Sequence, residues 1–398
     1  MTDPAAIQTD VVICGGGVAG LWLLARLRQQ GYSVVLIESA ALGAGQTRYA
    51  QGIIHGGTKY ALTGAVSGSS EAIAAMPPLW RACLEGHGEI DLRAVRLMSD
   101  HQYLWSTASI TSRMAGFFAS KMMRSRIAPL DASDHPTVFR HCDFRGQVYR
   151  LEEPVLDTAA LVHALAAPHE QAIWRGTVVQ AVAGKEGIQL TLQDGEQQRS
   201  IAARRLVLTA GKGNAALLQL LGHDAPQMQT RPLKMVMVRG DLPQGVYAHC
   251  LGASTNPRLT ISTHFDIQGR TVWYLGGDLA EEGVRRSDVE QLDAARHELA
   301  TLLPWIDFSQ CEFATLDIDR AEPRMPDGRR PDDVYADERD GVITAWPTKL
   351  AFAPRLAACI NDMLKMASVA QTSDAGTPPA WPFPGYALLP WQEDERWS

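Results

Sequence analysis

The 398-residue chain is poor in cysteine and has no cysteine pattern. Its six cysteines (Cys14, Cys83, Cys142, Cys250, Cys311 and Cys359) stand far apart with no C-x-x-C spacing, which argues against a zinc ribbon or a disulfide framework and makes a reducing cytoplasm the expected location. No apolar run approaches the roughly eighteen residues that cross a bilayer, and the polar lead MTDPAAIQTD has no basic segment ahead of an apolar one. Neither a spanning helix nor an export signal is expected. Positive charge is not in excess either: 37 Lys and Arg against 44 Asp and Glu give a net charge of −7, so no nucleic-acid partner is expected. G-x-S-x-G, H-E-x-x-H and P-loop patterns are missing, which leaves hydrolytic, zinc-dependent and phosphoryl-transfer chemistry without a motif. What remains is 46% apolar and 20% charged, a globular composition on a chain long enough for two domains.

The first informative stretch is VVICGGGVAGLWLLARLRQQGYSVVLIE. It reads as a buried strand ending at Cys14, a glycine turn, a helix to about Gln30, a stop at Gly31 and a second strand closing at Glu38. Gly15, Gly17 and Gly20 form G-x-G-x-x-G: the first permits the turn, the second lets backbone approach a pyrophosphate, and the third lets helix pack on strand. The helix start, Val18 and Ala19, offers N–H groups and a positive dipole end to phosphates. Glu38 stands where a carboxylate accepts hydrogen bonds from an adenosine ribose. A dinucleotide-binding βαβ unit follows.

A dinucleotide domain for NAD usually continues with further βα units, whereas Glu38 leads here into an irregular glycine-rich stretch, GQTRYAQGIIHGGTKYAL, from Gly45 to Leu62. With GIIHGGTKYAL the chain resembles the D-amino acid oxidase-like superfamily of FAD-dependent oxidoreductases, and within it the I-H-G-G-x-[RK]-Y-L run of glycerol-3-phosphate dehydrogenases and the related run of 2-hydroxyglutarate oxidases. Glycine and sarcosine oxidases are further relatives. The resemblance implies FAD as cofactor, bound without a covalent link, with Ser39, Thr47, Arg48, Gln51, Gly52 and Ile53 joining the glycines and Glu38 around it. It also implies that His55 and Lys59 lie beside the isoalloxazine.

Further along, the resemblance is carried by EEPVLDTAALVHALA, where Asp157 or Thr158 is the expected helix cap, by the strand containing Val178, which it brings near the adenine, and by Ala210-Gly211 at the end of RLVLTAG. From Arg231 the text turns to alternating strands (RPLKMVMVRGDL, VYAHCLG, RLTISTHFD, RTVWYLGGD), the pattern of an antiparallel sheet, followed by a helix from Ser287 to Pro304. In the family such a sheet caps the flavin. The closing segment, with Pro326-Asp327-Gly328 and the strand GVITAW, implies that Thr348, Lys349 and Leu350 start a helix whose positive end faces the pyrimidine edge of the flavin. Where relatives carry an arginine that grips a substrate carboxylate, this chain has Glu322, flanked by Arg320 and Arg324.

The expected fold is α/β (α+β overall): a Rossmann-like FAD-binding domain from residues 1–85, 142–228 and 318–370, a second, antiparallel-sheet substrate domain from 86–141 and 229–317, and a Pro- and aromatic-rich tail, 371–398, expected as an extended strap packed on its own chain or on a second subunit. The expected function is hydride transfer from a C–H carrying a hydroxyl or an amine to flavin N5, with a small-molecule substrate, with oxygen or a quinone as electron acceptor and without a metal. A non-catalytic FAD-binding subunit is the rival reading. Candidate catalytic residues are His55, Lys59, His264 and Arg320. Alternation places His264 with Ser262 on one sheet face, either exposed or in a pocket, and Tyr247, Trp273 and Tyr274 are candidate aromatic walls. The run SRMAGFFASKMMRSRIAPL, Ser112 to Leu130, combines four basic residues with apolar bulk; a substrate-domain helix or lid is expected, and peripheral membrane contact is the alternative.

Overall fold

The computed structural model describes residues 6–57, 72–107, 127–184, 187–252, 256–366 and 379–397. Lys59, most of the Ser112–Leu130 run and the first part of the tail therefore lie outside the described residues.

The opening unit forms as its pattern requires. Strand β1 (Ile7–Cys14) leads through the glycines into helix α1 (Val18–Gln29), and β2 (Val34–Glu38) pairs parallel to β1. The helix is apolar nearly all round, and it is buried nearly all round: Leu21, Trp22, Leu23, Leu24 and Leu27 have no exposed surface. Gly31, at φ 86°, supplies the left-handed turn after its end. Strands Gln197–Leu208 and Val342–Trp346 continue the parallel sheet on one side of β1 and Ile173–Arg175 on the other. Helices α1, Thr158–Ala166 and Ala353–Met366 share the hydrophobic layer on one face. On the opposite face Val12, Val35 and Leu206 meet Trp174, Val178, Leu190 and Leu192.

The second sheet has the order Glu312–Pro323, Met228–Gly240, Thr271–Gly276, Leu259–Phe265, Tyr247–Cys250, Gln102–Trp105, Val148–Leu151, Ile127–Pro129. Its alternation separates two cores. Val236, Val238, Ile261, Trp273 and Leu275 pack on Ala295, Leu299 and Leu302 of helix Asp288–Leu302, which starts at a Ser287–Glu290 capping box. Met235, Met237, Tyr274, Leu316 and Ile318 form the other face. Trp273 thus belongs to the helix-side core, and only Tyr247 and Tyr274 face the other way.

Two expected boundaries shift. The strand Glu312–Pro323 hydrogen-bonds to Met228–Gly240 along its whole length, so the chain returns to the first sheet after Pro323 and not at 318. Val148–Leu151 pairs with Gln102–Trp105, so this stretch, expected in the nucleotide-binding part from 142 onward, also belongs to the second sheet. In both cases cross-strand pairing outlasts the point at which sequence motifs resume.

The tail behaves as a strap on its own chain. Arg175 N donates to Pro382 O, Leu42 N to Gly385 O, and Ala387 N to Leu42 O, at 2.7, 2.9 and 3.0 Å. Farther on, Trp391 is buried in the second sheet's face beside Tyr274 and Ile318. These hydrogen bonds and the burial of the Trp391 ring hold a segment whose own regular structure is two short 3-10 turns, Pro390–Gln392 and Asp394–Arg396.

Candidate active site

The glycine turn is built to present backbone. Gly15 sits at φ +115°, and a Cβ there would lie 2.6 Å from Ala210 Cα; one on Gly20 would lie 2.0 Å from Gly15 O. Both glycines are demanded by the polypeptide itself. Gly17 differs: among the described residues a Cβ would meet only Thr47 Oγ1, at 3.2 Å. It is also the N-cap of α1, with no side chain of its own to cap the helix and no acidic residue in the first turn. Thr47 reaches across to accept from Val18 N at 3.1 Å. Glu38 closes β2 with its carboxylate over the turn, accepting from Gly16 N at 2.7 Å and Ala40 N at 2.8 Å, and each oxygen keeps further lone-pair capacity. Ser39 follows it, exposed. Arg48 pairs with Glu393 of the tail, while its buried Nε has no hydrogen-bond partner among the described residues. A dinucleotide diphosphate fits this cradle: an uncapped helix start, a glycine whose side-chain space is open, and a guanidinium with an unused donor.

Two more segments close on the cradle. Asn214, fully buried, accepts from Ala210 N at 2.8 Å and donates to Ala345 O at 3.2 Å; Trp346 Nε1 donates to Gly211 O at 3.1 Å. Ala210-Gly211 and the approach to Thr348-Lys349-Leu350 are thereby fixed to one another. A 3-10 turn, Leu350–Phe352, precedes helix Ala353–Met366, so Thr348 and Lys349 lie in the lead-in, Thr348 at φ 60°. Val178 is buried beside Trp174 in the layer below β1 and β2.

From the cradle the chain runs under the second sheet. Gln51 Nε2 donates to Ser262 Oγ (3.2 Å) and to Tyr274 O (3.1 Å). Gly52 is at φ +75°, and a Cβ on it would lie 2.0 Å from Leu156 O, because Gly52–Ile54 pairs edge to edge with Pro154–Leu156. This pairing brings His55 to Glu153: Nδ1 and Oε2 are 3.4 Å apart. Gln102 Nε2 also donates to Oε2. Burial pushes the Glu153 carboxyl up, yet the His55 hydrogen bond and charge, with the Gly56 N–H and the Gln102 amide, outweigh burial and hold it below the usual carboxylate range. His249 stacks on His55 with centroids 5.5 Å apart, its Nδ1 2.8 Å from Thr260 Oγ1.

The other two candidates lie elsewhere. His264 is neither exposed nor in an open pocket: Trp391 stacks on it at 3.7 Å, Ser262 Oγ lies 2.9 Å from its Nε2, and burial pulls its pKa down to about 3. It supports Gln51 through Ser262 and offers its ring face to the tail. Arg320 stands four strands away from His249 across the second sheet, about 19 Å at ordinary strand spacing. It faces Arg231 and Arg330, and burial together with the Arg330 charge pulls its guanidinium down to about 10. Glu322, buried, accepts from Gln229 and Arg231 at 2.9 Å each. His55 and Arg320 therefore do not form one cluster, because the face they share is wide.

Glu153, Gln102 and His249 are the site residues that sequence reading missed. Nothing local marks them: Glu153 lies 98 residues from His55 and Gln102 lies 47 from it. The pairing of Gly52–Ile54 with Pro154–Leu156 brings Glu153 to His55, and the parallel pairing of strands Gln102–Trp105 and Tyr247–Cys250 brings Gln102 and His249 to the same place.

The family model for DAO, FAD dependent oxidoreductase, matches residues 10–347. The probable FAD-dependent oxidoreductase PA4991 of Pseudomonas aeruginosa is 47% identical over 390 residues, 95% of this chain and 98% of that protein. Its crystal structure superposes with a TM-score of 0.83 over 98% of both chains at 43% identity. Glycine oxidase from Geobacillus kaustophilus gives a TM-score of 0.67 at 18% identity over 97% of this chain and 98% of that one. L-alpha-glycerophosphate oxidase from Mycoplasma pneumoniae, solved with FAD bound, gives 0.65 at 13% identity over 97% and 98%. These last two share the fold. With the cradle and its glycines in place within the matched span, the chain belongs to the DAO family of FAD-dependent oxidoreductases.

Proposed function

We propose that the enzyme oxidises a small molecule at a C–H that carries a hydroxyl or an amine, with His55 as the base that takes the proton. Bound FAD supplies the two-electron acceptor for the hydride. The chain's own residues supply the rest. Gly15, Gly17, the start of α1, Glu38, Thr47 and Arg48 hold the dinucleotide; Gln51, Gly52 and Ile53 carry the chain on beneath the second sheet. The observation that carries the reading is this continuity: one segment, Gly45–Gly57, joins the dinucleotide cradle to an imidazole backed by a buried carboxylate. A base within reach of the departing proton contributes ~10²–10⁴-fold to such reactions. Tyr247, buried with Ile53 and Val155 beside this pairing, excludes water on that side.

The cofactor is proposed to be non-covalent and the final acceptor to be oxygen or a quinone. Arg320 is not assigned a substrate contact, since it lies across the sheet from His55.

Anaerobic rapid mixing tests the reading. A 2-hydroxy acid, a polyol phosphate, an amino acid and a secondary amine are mixed in turn with wild type and with His55→Ala. We expect His55→Ala to keep its flavin and to lose ~10²-fold or more in reduction rate with whichever compound reduces the wild type. Equal rates in the two proteins refute a role for His55. Acid precipitation should release the flavin into the supernatant; a yellow precipitate contradicts non-covalent binding.

A further inference from the structure

We propose that Glu153 is the positioning residue that fixes the His55 imidazole with its proton on Nδ1 and its lone pair on Nε2, and that Gln102 and the Gly56 N–H hold Glu153 for that task. The inference rests on the reading of His55 as the base and says how it is kept competent.

The backbone explains why the two side chains meet. Ile54 N donates to Pro154 O at 2.9 Å, and Ile53 and Val155 form an antiparallel bridge, so the residues just beyond each end of this short pairing, His55 and Glu153, are neighbours. The carboxylate is 4% exposed. A carboxylate there is costly unless it is hydrogen-bonded. Hydrogen bonds come from the Gln102 amide, the Gly56 N–H and the His55 ring nitrogen that faces it. The approach is close enough to constrain the sequence: a Cβ on Gly56 would lie 3.1 Å from Glu153 Oε1 and 3.0 Å from Pro77 Cγ.

Chemistry then sets the tautomer. An ionised carboxylate only accepts, so the imidazole nitrogen facing it must donate. Gln102 Nε2 gives one of its two N–H groups to Glu153 Oε2, and at 3.5 Å the other is at the outer limit of a hydrogen bond to His55 Nδ1, so the ionised carboxylate is the dominant partner of that ring nitrogen. The proton on Nδ1 puts the lone pair on Nε2, at the opposite edge of a ring whose side chain is 24% exposed. When a substrate O–H or N–H proton is transferred to Nε2, the ring becomes an imidazolium, and the Glu153 charge beside it stabilises that cation. His249, stacked at an interplanar angle of 27° and tied to Thr260, keeps the ring from turning over.

The tautomer is read directly by nitrogen NMR on holoprotein labelled with 15N in its histidine side chains, at about pH 8, above the ordinary histidine pKa. The His55 signals are those lost in His55→Gln. We expect Nδ1 protonated and Nε2 bare in wild type, the reverse of the usual exposed-histidine pattern, and reversion to a proton on Nε2 in Glu153→Ala. Glu153→Asp should keep the wild-type pattern in part. A wild-type ring with its proton on Nε2, a ring still doubly protonated at that pH, or a pattern unchanged in Glu153→Ala overturns the proposal. If Glu153→Ala does not fold, the wild-type tautomer alone decides. Failure of every compound to reduce the flavin counts against His55 as a base in catalysis and leaves the tautomer result standing, so the two failures are distinct.

Discussion

Replacing Gly17 with valine separates the two tasks of the glycine motif. At Gly20 a Cβ would fall 2.0 Å from Gly15 O, and at Gly15 one would fall 2.6 Å from Ala210 Cα, so these positions are closed by the polypeptide. Gly17 has φ −78° and ψ 177°, which any residue adopts, and among the described residues its Cβ would meet Thr47 Oγ1 alone. Gly17→Val should therefore cost the apoprotein no more than about 1–1.5 kcal/mol. The same side chain fills the space in front of the uncapped α1 start. Loss of two charge-assisted hydrogen bonds there, at ~1.5–3 kcal/mol each, lowers FAD affinity by on the order of 10²–10⁴. The assay is the ratio of flavin to protein absorbance after gel filtration, beside thermal unfolding of the apoproteins. Gly17→Val should emerge colourless with a nearly unchanged apoprotein Tm, whereas Gly20→Ala should fail in folding. A Gly17→Val protein with full flavin content refutes the placement of the diphosphate.

Glu38→Gln should weaken FAD binding by ~10-fold, less than Gly17→Val, because the amide keeps one acceptor; titration of apoprotein with FAD measures it, and an unchanged Kd removes Glu38 from the site. Trp391→Ala should destabilise by ~3–5 kcal/mol in urea unfolding, since the ring is buried against His264 and Tyr274, and truncation after Gln371 should lower Tm; unchanged midpoints refute the strap. His264 has a folded pKa of about 3, below that of an unfolded histidine, so between about pH 6.5 and 3 the unfolded chain binds a proton that the fold refuses. Its contribution to stability is present above that window and is lost as pH falls through it, by up to ~1.4 kcal/mol per pH unit; His264→Phe should flatten the dependence, and equal slopes for the two proteins in urea unfolding at several pH values contradict it.

The βαβ unit was legible because each residue of its turn has a separate steric duty and because strand, helix and acidic strand end stand in register. Ser287 and Asp157 were legible as caps for a similar local reason: a hydroxyl or carboxylate followed by free N–H groups. Alternation in Arg231–Gly276 fixed which side chains share a face, but not what covers that face. Hence His264 read equally as exposed or pocketed, and only the fold brings Trp391 over it. The same limit hid Glu153. A three-residue edge pairing leaves no periodic trace, so a carboxylate far along the chain looked like any other before a proline. The boundary at 318 shifted because strand pairing continues to Pro323 through residues that carry family motifs. The separation of Arg320 from His249 by four strands is set by the strand order of the second sheet, which sequence spacing does not encode.

The most direct test of the central claim is anaerobic reduction of the wild-type holoprotein. Small hydroxyl and amine compounds are added one at a time while the flavin's visible band is followed, with dithionite as the control for reducibility. The account predicts that at least one compound bleaches the band, with one equivalent oxidised per flavin. A flavin that dithionite reduces but that stays oxidised with every compound contradicts it.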